Sequence, residues 1–148
     1  MRPIVIGIGN PDRGDDAVGR VVAQKLRDRI GDRADVVEAR GEATEIVSLL
    51  QGRDAAILID ACVSGAPAGT TLRLDMRVAP APRKGGELSS HGLGLAEAIG
   101  LARALGALPE MCVVYAIEGA SFAHGAAMSE AVAAAADEVA TAIAGRLD

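Results

Sequence analysis

Aromatic side chains are almost missing from this chain of 148 residues: Tyr115 and Phe122 are the only two, and tryptophan is absent. Stacking platforms for bases or sugars are excluded with them, so the core has to be built from valine, isoleucine, leucine and alanine. Cysteine is scarce as well. Cys62 and Cys112 each sit at or in an apolar, strand-like segment, which reads as free thiols packed in a reducing compartment and not as a disulfide. Nor is positive charge in surplus. The 15 Lys and Arg stand against 20 Asp and Glu, a net charge of −5; that outer field repels phosphate backbones, and nucleic acid is not an expected partner. Long hydrophobic runs are lacking too. The run Ala55-Ala56-Ile57-Leu58-Ile59 is strand-length, far short of the ~20 residues that cross a bilayer. The opening Met1-Arg2-Pro3-Ile4-Val5-Ile6-Gly7 has no apolar stretch of the secretory kind. The expectation is a cytoplasmic protein with no membrane partner.

What is present describes a single domain over residues 1–148. A chain of this size buries roughly 68–70% of its unfolded surface, so neither metal nor disulfide is needed for folding and a bound metal would have a functional reading. Apolar strand-like runs alternate with helix-period segments, the pattern of an α/β fold with a mainly parallel sheet. The expected order is a strand from Pro3 to Ile8, a helix carrying Val18, Val21, Val22, Leu26 and Ile30, and a strand around Val36 and Val37. A short helix around Ile46 to Leu50 and a doubly covered strand from Ala55 to Ile59 ending at Asp60 follow. Thr70 to Asp75 alternates polar and apolar, as an edge strand does. Arg77 to Ser90 reads as an irregular surface segment, followed by a helix over Gly92 to Leu105, a buried strand over Met111 to Ile117 and a closing helix over Ala127 to Leu147.

In an open α/β sheet, ligands bind beyond the carboxyl ends of the strands. Three such exits are acidic here: Gly9 to Asp16, Asp60, and Glu118. In a 2-1-3 strand order Asp16 and Asp60 converge on one crevice, which His91 is able to join from its loop. Two carboxylates and a neutral imidazole make a mixed oxygen and nitrogen set suited to Zn, Ni, Co or Fe. Simpler readings stand beside this one. Asp15 and Asp16 serve a helix N-terminus as cap and dipole partner, Asp60 accepts N–H groups from the turn Ala61 to Gly65, and His91 and His124 are solvated loop residues. Gly7-Ile8-Gly9 opens like a dinucleotide fingerprint, but Asp12 stands where that fingerprint wants glycine, and Asp15 and Asp16 occupy the phosphate's place. Glu38 does not rescue the match. A triad from Ser89 or Ser90, His91 and Asp60 lacks a nucleophile elbow, and acidic neighbours suppress a Cys62 thiolate.

Three segments in order carry a resemblance: Gly7-Ile8-Gly9-Asn10-Pro11-Asp12-Arg13-Gly14-Asp15-Asp16-Ala17-Val18-Gly19, then Ile59-Asp60-Ala61, then Ser90-His91-Gly92-Leu93-Gly94-Leu95. Together they resemble the hydrogenase maturation endopeptidases, which trim a C-terminal extension from the large subunit of nickel–iron hydrogenases once nickel has been inserted. The resemblance implies a three-layer α/β fold with a five-stranded sheet. It also implies that Asp16, Asp60 and His91 are the catalytic and metal-recognising residues, and that the large-subunit precursor is the partner. The nickel it implies is carried by the substrate, and Zn or Cd also suits such a site. Arg40-Gly41-Glu42 departs from the acidic-Gly-Gly turn of many relatives, and Glu118 takes no role from the resemblance. Two other readings remain: a metal-binding carrier using the same trio, and a hydrolase like the peptidyl-tRNA hydrolases, which share the Gly-x-Gly-Asn-Pro opening. Partner docking is expected on Arg77 to Ser90 and on Ala120 to Gly125.

Overall fold

Near-continuous apolar runs in Ile4–Ile8, Ala55–Cys62 and Met111–Glu118 give strands buried along nearly their whole length, as expected where helices cover both faces of a parallel sheet. A computed structural model describes residues 2–78 and 94–147. His91, most of the segment expected at Arg77 to Ser90, and the first residues of the helix expected from Gly92 lie outside them.

The strands are β1 (Ile4–Ile8), β2 (Asp35–Ala39), β3 (Ala55–Cys62), β4 (Thr71–Asp75) and β5 (Met111–Glu118), and the helices are α1 (Val18–Ile30), α2 (Ala43–Leu50), α3 (Gly94–Leu105) and α4 (Glu130–Arg146). The sheet runs β2-β1-β3-β5-β4, parallel except for β4, which pairs antiparallel with β5 at the edge. The anticipated fold class, the 2-1-3 order and the edge position of β4 therefore stand. Several boundaries differ: α4 begins at Glu130 and not at Ala127, and β5 runs one residue further, to Glu118. β3 does not stop at Asp60 but continues to Cys62, because Asp60, Ala61 and Cys62 pair with Ala116, Ile117 and Glu118.

Two apolar layers sandwich the sheet. Ile4, Ile6 and Ile8 face α2 and α3, meeting Ile46, Leu50, Leu95 and Ile99. Val5, Ile57, Ile59, Val113 and Ile117 face α1 and α4, meeting Val22, Leu26, Val132, Val139 and Ile143. α1 comes closest to the strands. A Cβ on Gly7 would press into the Gly19 carbonyl and lie 2.7 Å from Ala23 Cβ, and a Cβ on Gly19 would strike the carbonyls of Ile8 and Ile59. The Gly7-Ile8-Gly9 pattern that imitates a nucleotide loop thus includes a glycine needed for helix–sheet packing. By this contact the start of α1 is set directly over the ends of β1 and β3. Among the described residues no helix is long and apolar enough to cross a membrane.

Candidate active site

β1 ends at Ile8, and the chain turns back on itself at once. Gly9 has φ +153, and a side chain there would run into the Asp16 carbonyl, so glycine alone suits the position. Asn10 Oδ1 accepts from Asp12 N at 2.9 Å, and Asp16 N donates to the Arg13 carbonyl at 3.1 Å. These bonds shape a 3-10 turn over Gly14–Ala17. Asp16 is fully buried within it, and its Oδ2 accepts from Asn10 N at 3.0 Å.

Asp60 is also fully buried, and its Oδ1 accepts from Ala61 N at 2.8 Å. Register puts Gly7 beside Ile59, and Gly19, three residues after Asp16, packs so close to the Ile8 and Ile59 carbonyls that a Cβ would strike both. Asp16 and Asp60 consequently share one end of two adjacent strands. Two carboxylates withdrawn from water near each other are costly unless positive charge or hydrogen bonds compensate. Among the described residues no group of three His, Cys, Asp or Glu side chains is arranged to hold a metal; His91, the third member of the expected trio, is not among them. His124 is exposed on the loop between β5 and α4.

The simpler readings of Asp15 and Asp60 need revision. Neither Asp15 nor Asp16 caps α1, whose N-cap is Ala17 with no side-chain bond. Asp15 instead accepts four N–H or O–H groups of the β5–α4 loop: Ala120 N at 2.8 Å, Ser121 N at 3.0 Å, Ser129 N at 2.7 Å and Ser129 Oγ at 2.9 Å. Asp60 accepts the Ala61 N–H, but the far side of the turn is held by another carboxylate. The Ser64 and Gly65 N–H groups go to Glu118, which also accepts from Ser64 Oγ at 2.6 Å. The topology explains this role, because the chain leaving β3 must cross over the end of β5 to reach β4, and Glu118 lies at that end. Sequence reasoning missed both carboxylates as organising groups. Adjacency to Asp16 is the only local signal for Asp15, and Glu118 carries none beyond its place at a strand end.

Burial raises the carboxyl pKa of Asp15, Glu38 and Glu118, yet their hydrogen bonds outweigh it and hold all three below the ordinary values. For Glu38 the donors are Arg20, Arg27 and Gln24 on α1, which is why this residue braces β2 and does not await a ribose. Groups with depressed folded values add stability above their unfolded pKa values of ~4 and lose it as pH falls through the folded ones. The urea midpoint should therefore be flat near neutrality and fall below about pH 4. Glu118→Gln, which turns an amide toward N–H donors, should lower stability by about 2 kcal/mol at pH 7. It should also soften that acid limb; an unchanged midpoint would contradict the bracing role. Cys62 is no nucleophile, since burial and the neighbouring Glu118 push its thiol up to about 12.

Beside Asn10, on the α2–α3 side of the sheet, opens a cleft of about 590 Å³ lined by Arg40, Glu42, Thr44 and Glu97 among others. Its charges are mixed.

Comparison with known proteins gives a consistent result. Residues 20–146 match the HycI hydrogenase maturation protease family. The chain is 32% identical over 114 residues to the hydrogenase 2 maturation protease of Escherichia coli (strain K12), across 74% of this chain and 68% of that protein. Among solved structures, it is similar to the hydrogenase maturating endopeptidase HybD of E. coli, with 27% identity, a TM-score of 0.80, and coverage of 99% of this chain and 92% of that one. It is also similar to the HycI protease of Thermococcus kodakarensis KOD1, with 25% identity, a TM-score of 0.74 and the same two coverages. With this fold, these strand-end acids and these relatives, the chain belongs to the hydrogenase maturation protease family and is a peptidase.

Proposed function

We propose that this endopeptidase removes the C-terminal extension of a nickel–iron hydrogenase large-subunit precursor after nickel insertion, recognising the inserted ion through Asp16, Asp60 and His91. The observation that carries the reading is the pair of fully buried acids, Asp16 and Asp60, at the same end of adjacent strands. The order of the three motif segments along the chain supports including His91. Nickel belongs to the substrate here, so the precursor itself brings the positive charge that offsets the repulsion between the two carboxylates. Preferring loaded over empty precursor by ~100-fold needs only about 2.7 kcal/mol of differential binding, within reach of one additional carboxylate or imidazole bond. The ion also polarises a neighbouring peptide carbonyl toward attack by water. The mixed-charge cleft beside Asn10 offers room for the chain flanking the cut bond.

The test is incubation of the purified protein with large-subunit precursor, nickel-loaded and nickel-free, followed by intact mass measurement. A shortened product from the loaded form alone is expected. Equal cutting of both forms would remove nickel recognition from the reading, and transfer of nickel out of the precursor without shortening would favour a carrier.

A further inference from the structure

We propose that Asp15 is a positioning residue for this reaction: it never touches the substrate, but by locking the turn before α1 onto the β5–α4 loop it fixes the direction in which Asp16 is presented. The inference rests on the endopeptidase reading above and adds a residue to it.

Four consecutive residues of the turn engage the same loop. Gly125 N donates to the Asp12 carbonyl at 2.7 Å, and Arg13 Nε donates to the Phe122 carbonyl at 3.1 Å. The Cα of Gly14 lies so close to the Ser121 carbonyl that a Cβ would collide with it. Asp15 N donates to that same carbonyl at 2.8 Å while the Asp15 carboxylate collects Ala120 N, Ser121 N, Ser129 N and Ser129 Oγ. Asp15 is therefore bonded from both its backbone and its side chain, and it is fully buried. No capacity is left over for a ligand.

The next residue faces elsewhere. In a 3-10 turn successive side chains point about 120° apart, so once Asp15 is committed to the β5–α4 loop, Asp16 is directed away from it, toward Asn10 N at 3.0 Å. Loosening Asp15 would free the turn to rotate, and displacements of about 1 Å at a catalytic group are enough to cost ~100-fold in rate. Under the proposed function Asp16 meets the ion in the bound precursor as well as in the transition state, so the loss should fall on kcat and KM should rise with it.

The experiment measures kcat and KM for trimming of a nickel-loaded large-subunit precursor by the full chain and by Asp15→Asn, Ser129→Ala and the double variant. Ile143→Val serves as a stability control, because Ile143 is buried in α4 about four turns beyond Ser129. Asp15→Asn should reduce kcat at least 10-fold and raise KM. Ser129→Ala, which removes one donor and leaves the charge, should reduce kcat about threefold, and the double variant should be no slower than Asp15→Asn alone, as members of one network behave. Ile143→Val should lower the melting temperature without lowering kcat. Wild-type kcat in both Asp15→Asn and Ser129→Ala, or fully additive losses, would overturn the proposal. If Asp15→Asn does not fold, Ser129→Ala against the control decides: a reduced kcat supports the proposal and an unchanged one overturns it. A wild-type chain that leaves the loaded precursor uncut overturns the endopeptidase reading and this inference with it, whereas normal wild-type cutting with unaffected variants overturns only the role of Asp15.

Discussion

Asp60→Asn should leave a nickel-loaded precursor essentially uncut, with kcat/KM lower by about 1000-fold, equivalent to ~4 kcal/mol of transition-state stabilisation. The substitution is nearly isosteric. An asparagine oxygen can still accept the Ala61 N–H that Asp60 Oδ1 receives at 2.8 Å, so β3 and its pairing with β5 should survive; what disappears is the negative charge beside Asp16. With shape and the Ala61 bond kept, the melting temperature should stay close to that of the wild type. Trimming kinetics and a thermal scan on the same preparation check both halves. Retained cutting would remove Asp60 from the mechanism, and a large loss of stability would recast it as a structural residue.

Gly19→Ala should have the largest effect on the fold itself, about 3 kcal/mol or more of lost stability, or roughly 10 °C in melting temperature for a chain of this size. The atoms in the way are the Ile8 and Ile59 carbonyls and the Ile8 N, all backbone, so no side chain can swing aside to make room. α1 would have to lift from the sheet, opening gaps around Val22 and Leu26, both fully buried. It would carry Asp16 with it. Gly100→Ala is the matched comparison: Gly100 sits inside α3 with nothing within 4 Å of the added methyl, and there alanine should gain about 0.5–1 kcal/mol from helix propensity. Chemical denaturation of the two variants tests the contrast in sign, and a mild Gly19→Ala would mean that α1 does not depend on this close approach.

The parts of the molecule that were legible in the sequence are those governed by local pattern. β1, β3 and β5 are strands sealed on both faces, and their unbroken apolar runs announce this; the 3.6-residue spacing of Val18, Val22 and Leu26 announces α1. The strand-end rule then selects Asp16 and Asp60 from the many acidic residues, and both lie at the same end of adjacent strands. What sequence reasoning could not reach depends on contacts between distant segments. Asp15 finds its donors more than 100 residues away, at Ala120, Ser121 and Ser129. Glu118 becomes an organiser only because the β3–β4 connection passes over it. The same blindness explains β3. A carboxylate after Ala-Ala-Ile-Leu-Ile looks like a terminator, yet pairing with β5 carries the strand two residues further. Gly7 and Glu38 likewise imitate a nucleotide site, and only the proximity of α1 reveals their packing and ion-pairing duties.

The placement of β5 between β3 and β4 has a consequence for how the chain comes together. β4 is made before β5 during synthesis, yet among the described residues its one neighbour in the sheet is β5, so it must wait for a segment some three dozen residues downstream. Such non-local pairing slows folding. The bridge over Glu118 cannot close until β5 has docked, and contacts formed that late act mainly on the rate of unfolding and little on the rate of folding. Loss of the Glu118 bonds should accordingly shorten the lifetime of the native molecule more than it delays its formation.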